Sequence, residues 1–376
     1  MRLVVDVVGI VLLVAVVVLV PTVLPAGELS SSSHYSLLEP IRSGNLTVFP
    51  VVSNKSYDTG DFITLDEGIR SGDVVVTEAG QARGLIRRHT KNTDGLMPPI
   101  REAEVNRLVL INNSRRPLLL LAGEVVTGGK QDRVIGKDRI VPPESDPVDL
   151  SVFCVEPGRW VPTNGKYDFS AGRGGVMGGI VASPSVRGSA MAAKNQQQVW
   201  DNVNKSKQEM AEVLVMNGAP SAAAPEVSST TSYARVMENK DVQKQVDAVA
   251  VPVQRDYESV IHQLRDQNAV GVVVAVNGEV VWADIFASTQ LLQKYWPKLV
   301  RSYATEAVIT RAKAAQVSAK EAQKFLDTLD ARHETSDIEP GVYRQTEISG
   351  DGFKVFELMS LLPKTGFPVH IAKMAD

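Results

Sequence analysis

The sequence predicts an α+β protein: an N-terminal transmembrane or signal helix, an antiparallel β-rich sandwich or barrel-like unit, then helices and two β-hairpins. Three observations carry this. Residues 7–20, VVGIVLLVAVVVLV, are apolar without interruption. Between 45 and 169, short β-branched runs recur between Asn, Asp, Gly and Pro, with little helical spacing. From 193 onward, stretches of helical periodicity alternate with strand pairs joined by tight-turn residues.

The N-terminal run continues through Pro21 and Thr22 to Leu24. Its length lies between a signal-peptide core and a short membrane helix, so residues 1–26 read as a signal anchor or a signal peptide. Cleavage after Ala26 would leave Leu24 where a small residue is expected, which favours the anchor. Arg2 precedes the run, whereas residues 27–41 hold Glu28 and Glu39 and neither Lys nor Arg. That asymmetry places the body outside the cytoplasm: anchored N-in and C-out through residues 7–24, or secreted if cleaved. A buried valine-rich strand is the alternative reading. Residues 27–44 form a polar tether.

The β-rich unit, 45–169, is built from NLTVFPVV, DFITLDEGI, DVVVTEA, RLVLINN and PLLLLAGEVV, and RIVPPESDPVDLSVFCVEPGRW adds two strands around a Pro-rich turn. LLLLAG is apolar on both faces and reads as a central strand. Residues 170–192 are rich in Gly, Ser and Ala and read as a mobile loop. The portion 193–376 starts with a helix over Lys194–Met216, spaced by Val199, Val203, Met210 and Leu214 and stopped at Asn217-Gly218. A linker (218–232), a helix near 233–248 and another across YESVIHQLRDQ follow. VGVVVAV-NG-EVVWADIF is a hairpin whose Asn277-Gly278 turn needs positive φ. The next helical segment is expected to break or restart at Pro297. Ser318 and Glu321 form a capping box for a last helix reaching about Arg332, and VYRQTEIS-GDG-FKVFELMSLLP closes the chain as a second hairpin.

Composition narrows the function classes. The chain has 376 residues, 44% of them hydrophobic and 22% charged, with a net charge of −3. Bulk attraction to nucleic acid does not follow from that balance. One cysteine, Cys154, excludes an internal disulfide framework and multi-cysteine metal sites, and no two of the five histidines stand at metal-ligand spacing. Neither a metal nor a cofactor is expected. GEVVTGGKQ lacks the lysine and hydroxyl positions of a phosphate-binding loop, and the spacings of a nucleophile elbow and a zinc-protease helix are absent. Cys154, inside VFCV, reads as a small buried hydrophobe.

Chemistry concentrates between Gly123 and Trp160, in GEVVTGGKQDRV and CVEPGRW. Glu124, Gln131, Arg133, Glu156, Arg159 and Trp160 are the candidate ligand-binding residues. Arg133 and Arg159 could present planar forks to a carboxylate or phosphate, and Trp160 a stacking face. Glu124 and Glu156, in an enzyme, would be general acid and base. The plainer reading makes Glu124–Arg133 and Glu156–Arg159 ion pairs that pin turns between strands. Two functional classes follow. One is a non-enzymatic binding or scaffold domain for an anionic small molecule or a partner protein. The other is a hydrolase or transferase acting on a phosphorylated substrate.

These segments resemble a known family. An apolar strand leading into G-E, then K-Q-x-R-V, then C-V-E-x-G-R-W, is similar to the ARG and rhodanese–phosphatase-superfamily-associated protein domain. NLTVFPV (45–51), TLDEGI (64–69), QQQVW (196–200) and WPKLVRSYATEA (296–307) extend the resemblance over about 45–307. The resemblance implies that Glu124, Gln131, Arg133, Glu156, Arg159 and Trp160 are the family's characteristic polar positions. It also implies a link to nucleotide or ADP-ribose chemistry, and so an ADP-ribosylated substrate for the hydrolase or transferase class, without assigning a reaction.

Overall fold

The computed structural model describes residues 34–79, 106–162, 168–171, 179–313, 315–328 and 331–376. The apolar segment 7–24 and the whole stretch 1–33 lie outside the described residues; among the described residues no helix is long and apolar enough to cross a membrane.

The first half contains β1 (Tyr35–Leu37), β2 (Ile41–Ser43), β3 (Leu46–Ser53), β4 (Ile63–Thr64), α1 (Leu65–Ser71) and β5 (Val74–Glu78). It continues with β6 (Arg107–Asn112), β7 (Leu118–Leu120), β8 (Glu124–Gly128), β9 (Arg133–Ile135), β10 (Arg139–Val141), β11 (Val148–Cys154), β12 (Phe169–Ala171) and β13 (Ile180–Val181). Helices follow: α2 (Pro184–Gly188), a π-helical turn (Ser189–Ala193), α3 (Gln196–Met216), α4 (Ala223–Ser229), α5 (Tyr233–Glu238) and α6 (Lys240–Gln263). The chain ends with β14 (Asn268–Val276), β15 (Glu279–Phe286), α7 (Thr289–Ile309), α8 (Ala319–Asp327), β16 (Ala331–Glu339), β17 (Tyr343–Gly350), β18 (Phe353–Ser360) and β19 (Pro368–Ala375).

The fold is mixed α+β with mainly antiparallel sheets. Strands β12-β8-β9-β11-β6-β5, with β13 added beside β8, curl until Thr77 bridges Asp168, nearly closing a barrel. A three-stranded sheet, β10-β7-β4, lies against it and contains the one parallel pairing among the described residues, β4 with β7. The largest sheet runs β1-β3-β14-β15-β19-β18-β17-β16, with β2 beside β3. One of its faces joins the main core with α3, α6 and α7, while the other packs on α8 through Ala322 and Leu326.

Several elements differ from expectation. Strand β3 opens the segment 45–169, yet it pairs with β14 in the large sheet. All eight of its residues are buried, which requires a strand covered on both faces. The 170–192 stretch is no mere loop over its described part. It supplies β13, α2 with Pro184 in its first turn, and the π-helical turn. The 218–232 linker contains α4. The two helices foreseen between 233 and 267 become α5 and α6, because Asn239 caps Asp241 and Val242 and restarts the helix there. Pro297 sits inside an unbroken α7, held on both sides by core residues such as Tyr295, Trp296 and Leu299. The capping box at Ser318 is present, but the helix stops at Asp327 and β16 occupies 331–339. Both hairpins form: Asn277 and Gly278 have φ of 55° and 80° between β14 and β15, and β17 pairs with β18.

Candidate functional site

The candidate residues fall in two assemblies at opposite ends of β8. The first is the turn Leu121–Glu124, where the barrel meets the large sheet and α7. Its polar backbone is engaged throughout. Leu121 N donates to Glu124 Oε2 at 2.8 Å, and Ala122 N to Asp138 Oδ1 at 2.7 Å. Ala122 O accepts from Arg187 Nε at 2.8 Å, and Gly123 bonds Ile135 O and Ala182 N. Gly123 has φ of 94°, and a Cβ there would stand 2.7 Å from the Arg187 side chain. Only glycine lets that arginine pass.

Arg187, on α2, forms a two-pronged pair with Asp284 of β15 at 2.7 and 2.9 Å, its guanidinium 4.6 Å from the centre of the Trp282 ring. Asp284 also accepts from the Tyr303 hydroxyl and lies 3.0 Å from His370 Nε2. The other imidazole nitrogen is 2.6 Å from Asp138 Oδ2. Arg187, Asp284, His370 and Asp138 are completely buried. Burial favours a neutral imidazole, but Asp138 and Asp284 outweigh it and raise the His370 pKa. Burial likewise works against the Asp284 carboxylate, and Arg187 and His370 reverse that, holding it below the usual range.

Glu124 belongs to a second buried group. Lys298 of α7 donates to Glu124 Oε1 at 2.6 Å and Asp66 Oδ1 at 2.5 Å, over the Tyr295 ring. Burial pushes the Glu124 carboxyl up, with Lys298 only partly opposing it. Burial also works to raise Asp66, but there the ammonium prevails and the pKa falls. The expected Glu124–Arg133 pair is not made. Strand pairing sets Val126 opposite Arg133, and Glu124, at the start of β8, reaches α7 instead.

The second assembly surrounds the turn from β8 to β9. Gln131, Arg133, Glu156, Arg159 and Trp160 come together here, with Lys130 and Asp132. Arg159 Nη1 donates to Gly129 O and Val161 O, both at 2.9 Å. Its Nη2 reaches Gly128 O at 3.2 Å and Glu156 Oε2 at 2.5 Å, so the expected Glu156–Arg159 pair is present. Glu156 Oε2 also takes the Asp132 N–H, and Gln131 Nε2 donates to Glu156 O. Asp132 accepts from Gly128 N at 3.1 Å and from Ser232 Oγ at 2.6 Å, tying α5 to the barrel. Burial and the Glu156 charge raise the Asp132 pKa.

Arg133 is fully buried, whereas Trp160 is 41% exposed and Val161 63%. The Lys130 ammonium lies 4.8 Å from the centre of the Trp160 ring, and the Arg133 guanidinium 5.8 Å. Cys154 is buried, as its apolar setting suggested, and burial raises its thiol pKa. Gln196 clasps its backbone, accepting from Cys154 N at 2.8 Å and donating to Cys154 O at 2.9 Å. Among the described residues no group of three or more His, Cys, Asp or Glu could hold a metal ion.

Sequence reasoning missed Asp132, Asp138, Arg187, Asp284, Tyr303 and His370 as partners. A signal existed for two of them: Asp284 in VVWADIF and His370 in FPVHIAK are ionisable residues inside otherwise apolar strands. Such a residue needs a buried partner. Segments singled out by resemblance also meet here: Asp66 from TLDEGI, Gln196 from QQQVW, and Lys298, Ser302 and Tyr303 from WPKLVRSYATEA.

The model of a protein family, the ARG and Rhodanese-Phosphatase-superfamily-associated Protein domain, matches residues 34–372. Neither a curated protein nor a solved structure matches the chain.

Proposed function

The chain belongs to the ARG and Rhodanese-Phosphatase-superfamily-associated Protein domain family, and on that premise we propose that it is a non-enzymatic binding domain. In this reading residues 7–24 direct it to the membrane, and its body stands outside the cytoplasm, anchored or released. The surface that binds is Trp160 with Val161 and Lys130. The observation that carries the reading is the exposure of Trp160 and Val161 above a turn where Arg159, Glu156 and Asp132 are already engaged with one another and with the backbone.

A half-exposed indole beside an ammonium suits a protein partner that presents an acidic side chain next to an apolar one. A free anion is a poorer fit, because Arg133 is buried and Arg159 is turned onto carbonyls and carboxylates. The alternative, a hydrolase or transferase using Glu124 or Glu156, is weakened in the same way. Glu124 is bound to Lys298 and Leu121 N, and Glu156 to Arg159 and Asp132 N.

A photoreactive side chain in place of Val161, in the full chain expressed in its own cells, tests the proposal. A discrete protein adduct is expected, lost with Trp160→Ala and weakened with Lys130→Glu. No adduct, or one indifferent to both substitutions, would contradict it.

A further inference from the structure

The outer edge of the large sheet is β16, and among the described residues no element pairs with its far side. Residues 332–338 are all exposed, including Ile338 at 53%. The strand is regular: from His333 opposite Ser349 to Glu339 opposite Tyr343 its pairing with β17 is unbroken, and the irregularity lies at the Ala331/His333 end. Natural edge strands are guarded against association by charged side chains, lysine above all, by prolines, by mid-strand bulges or by a covering loop. Residues 333–339, HETSDIE, contain neither Lys nor Pro. Alternate residues of this seven-residue stretch therefore offer their outward N–H and C=O groups to another strand.

We infer that β16 pairs with β16 of a second copy of this chain, antiparallel about a two-fold axis at Ser336. The choice of occupant follows from the charges. Outward backbone groups alternate along a strand, so two identical edges can pair only in registers centred on a residue. Centring on Glu334, Asp337 or Ile338 sets carboxylates directly opposite each other, which is destabilising, and centring on Thr335 runs the ladder into the irregular Ala331/His333 end. Centring on Ser336 brings His333 opposite Glu339, Glu334 opposite Ile338 and Thr335 opposite Asp337, and it keeps all seven regular residues in the ladder. No like charges face each other, and each copy's imidazole meets a carboxylate. Asp337 and Glu339 are already held by Lys137 and Arg139 from the barrel side, so the edge is braced rather than free to splay. The product would be one continuous sheet running through both copies.

Cysteine cross-linking of the full chain in detergent tests this, because the native Cys154 is buried. Directly opposed antiparallel residues have Cα atoms about 4.5–5.5 Å apart, within reach of a disulfide. Oxidised Ser336→Cys should give a covalent dimer, whereas Met216→Cys, on an 80% exposed residue elsewhere, should not. Adding His333→Glu sets glutamates opposite each other twice and should weaken the dimer roughly tenfold in sedimentation, with the far-ultraviolet spectrum unchanged. Four outcomes would overturn the inference: a monomer at all concentrations, equal cross-linking through Met216→Cys, indifference to His333→Glu, or another protein seated on the strand.

Discussion

At the residue scale, the turn Leu121–Glu124 depends on one missing Cβ. Gly123→Ala would place a methyl group 2.7 Å from Arg187 at a φ of 94°. A loss of about 1–3 kcal/mol is expected, as for other overpacked sites. Arg187→Met keeps the volume but leaves Asp284 buried with its main cation gone, and breaking a buried pair in this way costs about 3–5 kcal/mol. Urea unfolding of both variants checks these values, and wild-type midpoints for either would refute the reading of this turn. Residue-scale legibility was uneven. Glu156 and Arg159 are three positions apart, and their pairing could be read from CVEPGRW. The Lys298–Glu124 pair spans 174 positions, and no local pattern announces a contact of that range.

At the element scale, local chemistry proved reliable wherever it acts within a few residues. The Asn277-Gly278 turn and the Ser318 capping box formed as read, because their hydrogen bonds and φ values are set locally. Ser318→Ala should destabilise α8 by about 1 kcal/mol, since the Oγ that accepts from Glu321 N and donates to Glu321 Oε2 is lost, while the Ser318 backbone N–H can still reach Glu321. Amide exchange in α8 rising while α6 stays protected would be the signature. Elements whose fate depends on distant packing were misread. Pro297 looked like a break, yet the packing of α7 in the core carries the helix past it. The exposed, charged β16 has no apolar alternation to mark it as a strand. Its order comes from backbone pairing with β17.

At the scale of the whole molecule, the buried His370 couples the large sheet to the barrel through Asp138 and Asp284. Its pKa is raised in the folded state. Its contribution to stability is therefore full below the unfolded value, about 6.5, and is lost as pH rises through the higher folded value. Asp284 acts in the opposite direction: its lowered pKa gives stability above the ordinary carboxylate range that is lost in acid. Urea midpoints followed upward from neutral pH should decline in the wild type and decline less in His370→Gln. Parallel profiles would show that the imidazole carries no such linkage. The mixed α+β class and the strand-rich first half are legible from periodicity. Assigning β3 to the sheet of the second half is not, because sheet partnership is a property of the assembled core.

Arg159, Glu156 and Asp132 around the β8–β9 turn hold the structure, and Trp160 above them is the proposed partner surface. Equilibrium unfolding of Arg159→Ala beside Trp160→Ala tests this most directly. Removing Arg159 leaves Glu156 and Asp132 buried without their shared cation, a loss of about 3–5 kcal/mol. Removing the half-exposed Trp160 ring should cost about 1 kcal/mol or less. The reverse order, with Arg159→Ala near wild type and Trp160→Ala severely destabilised, would contradict the account.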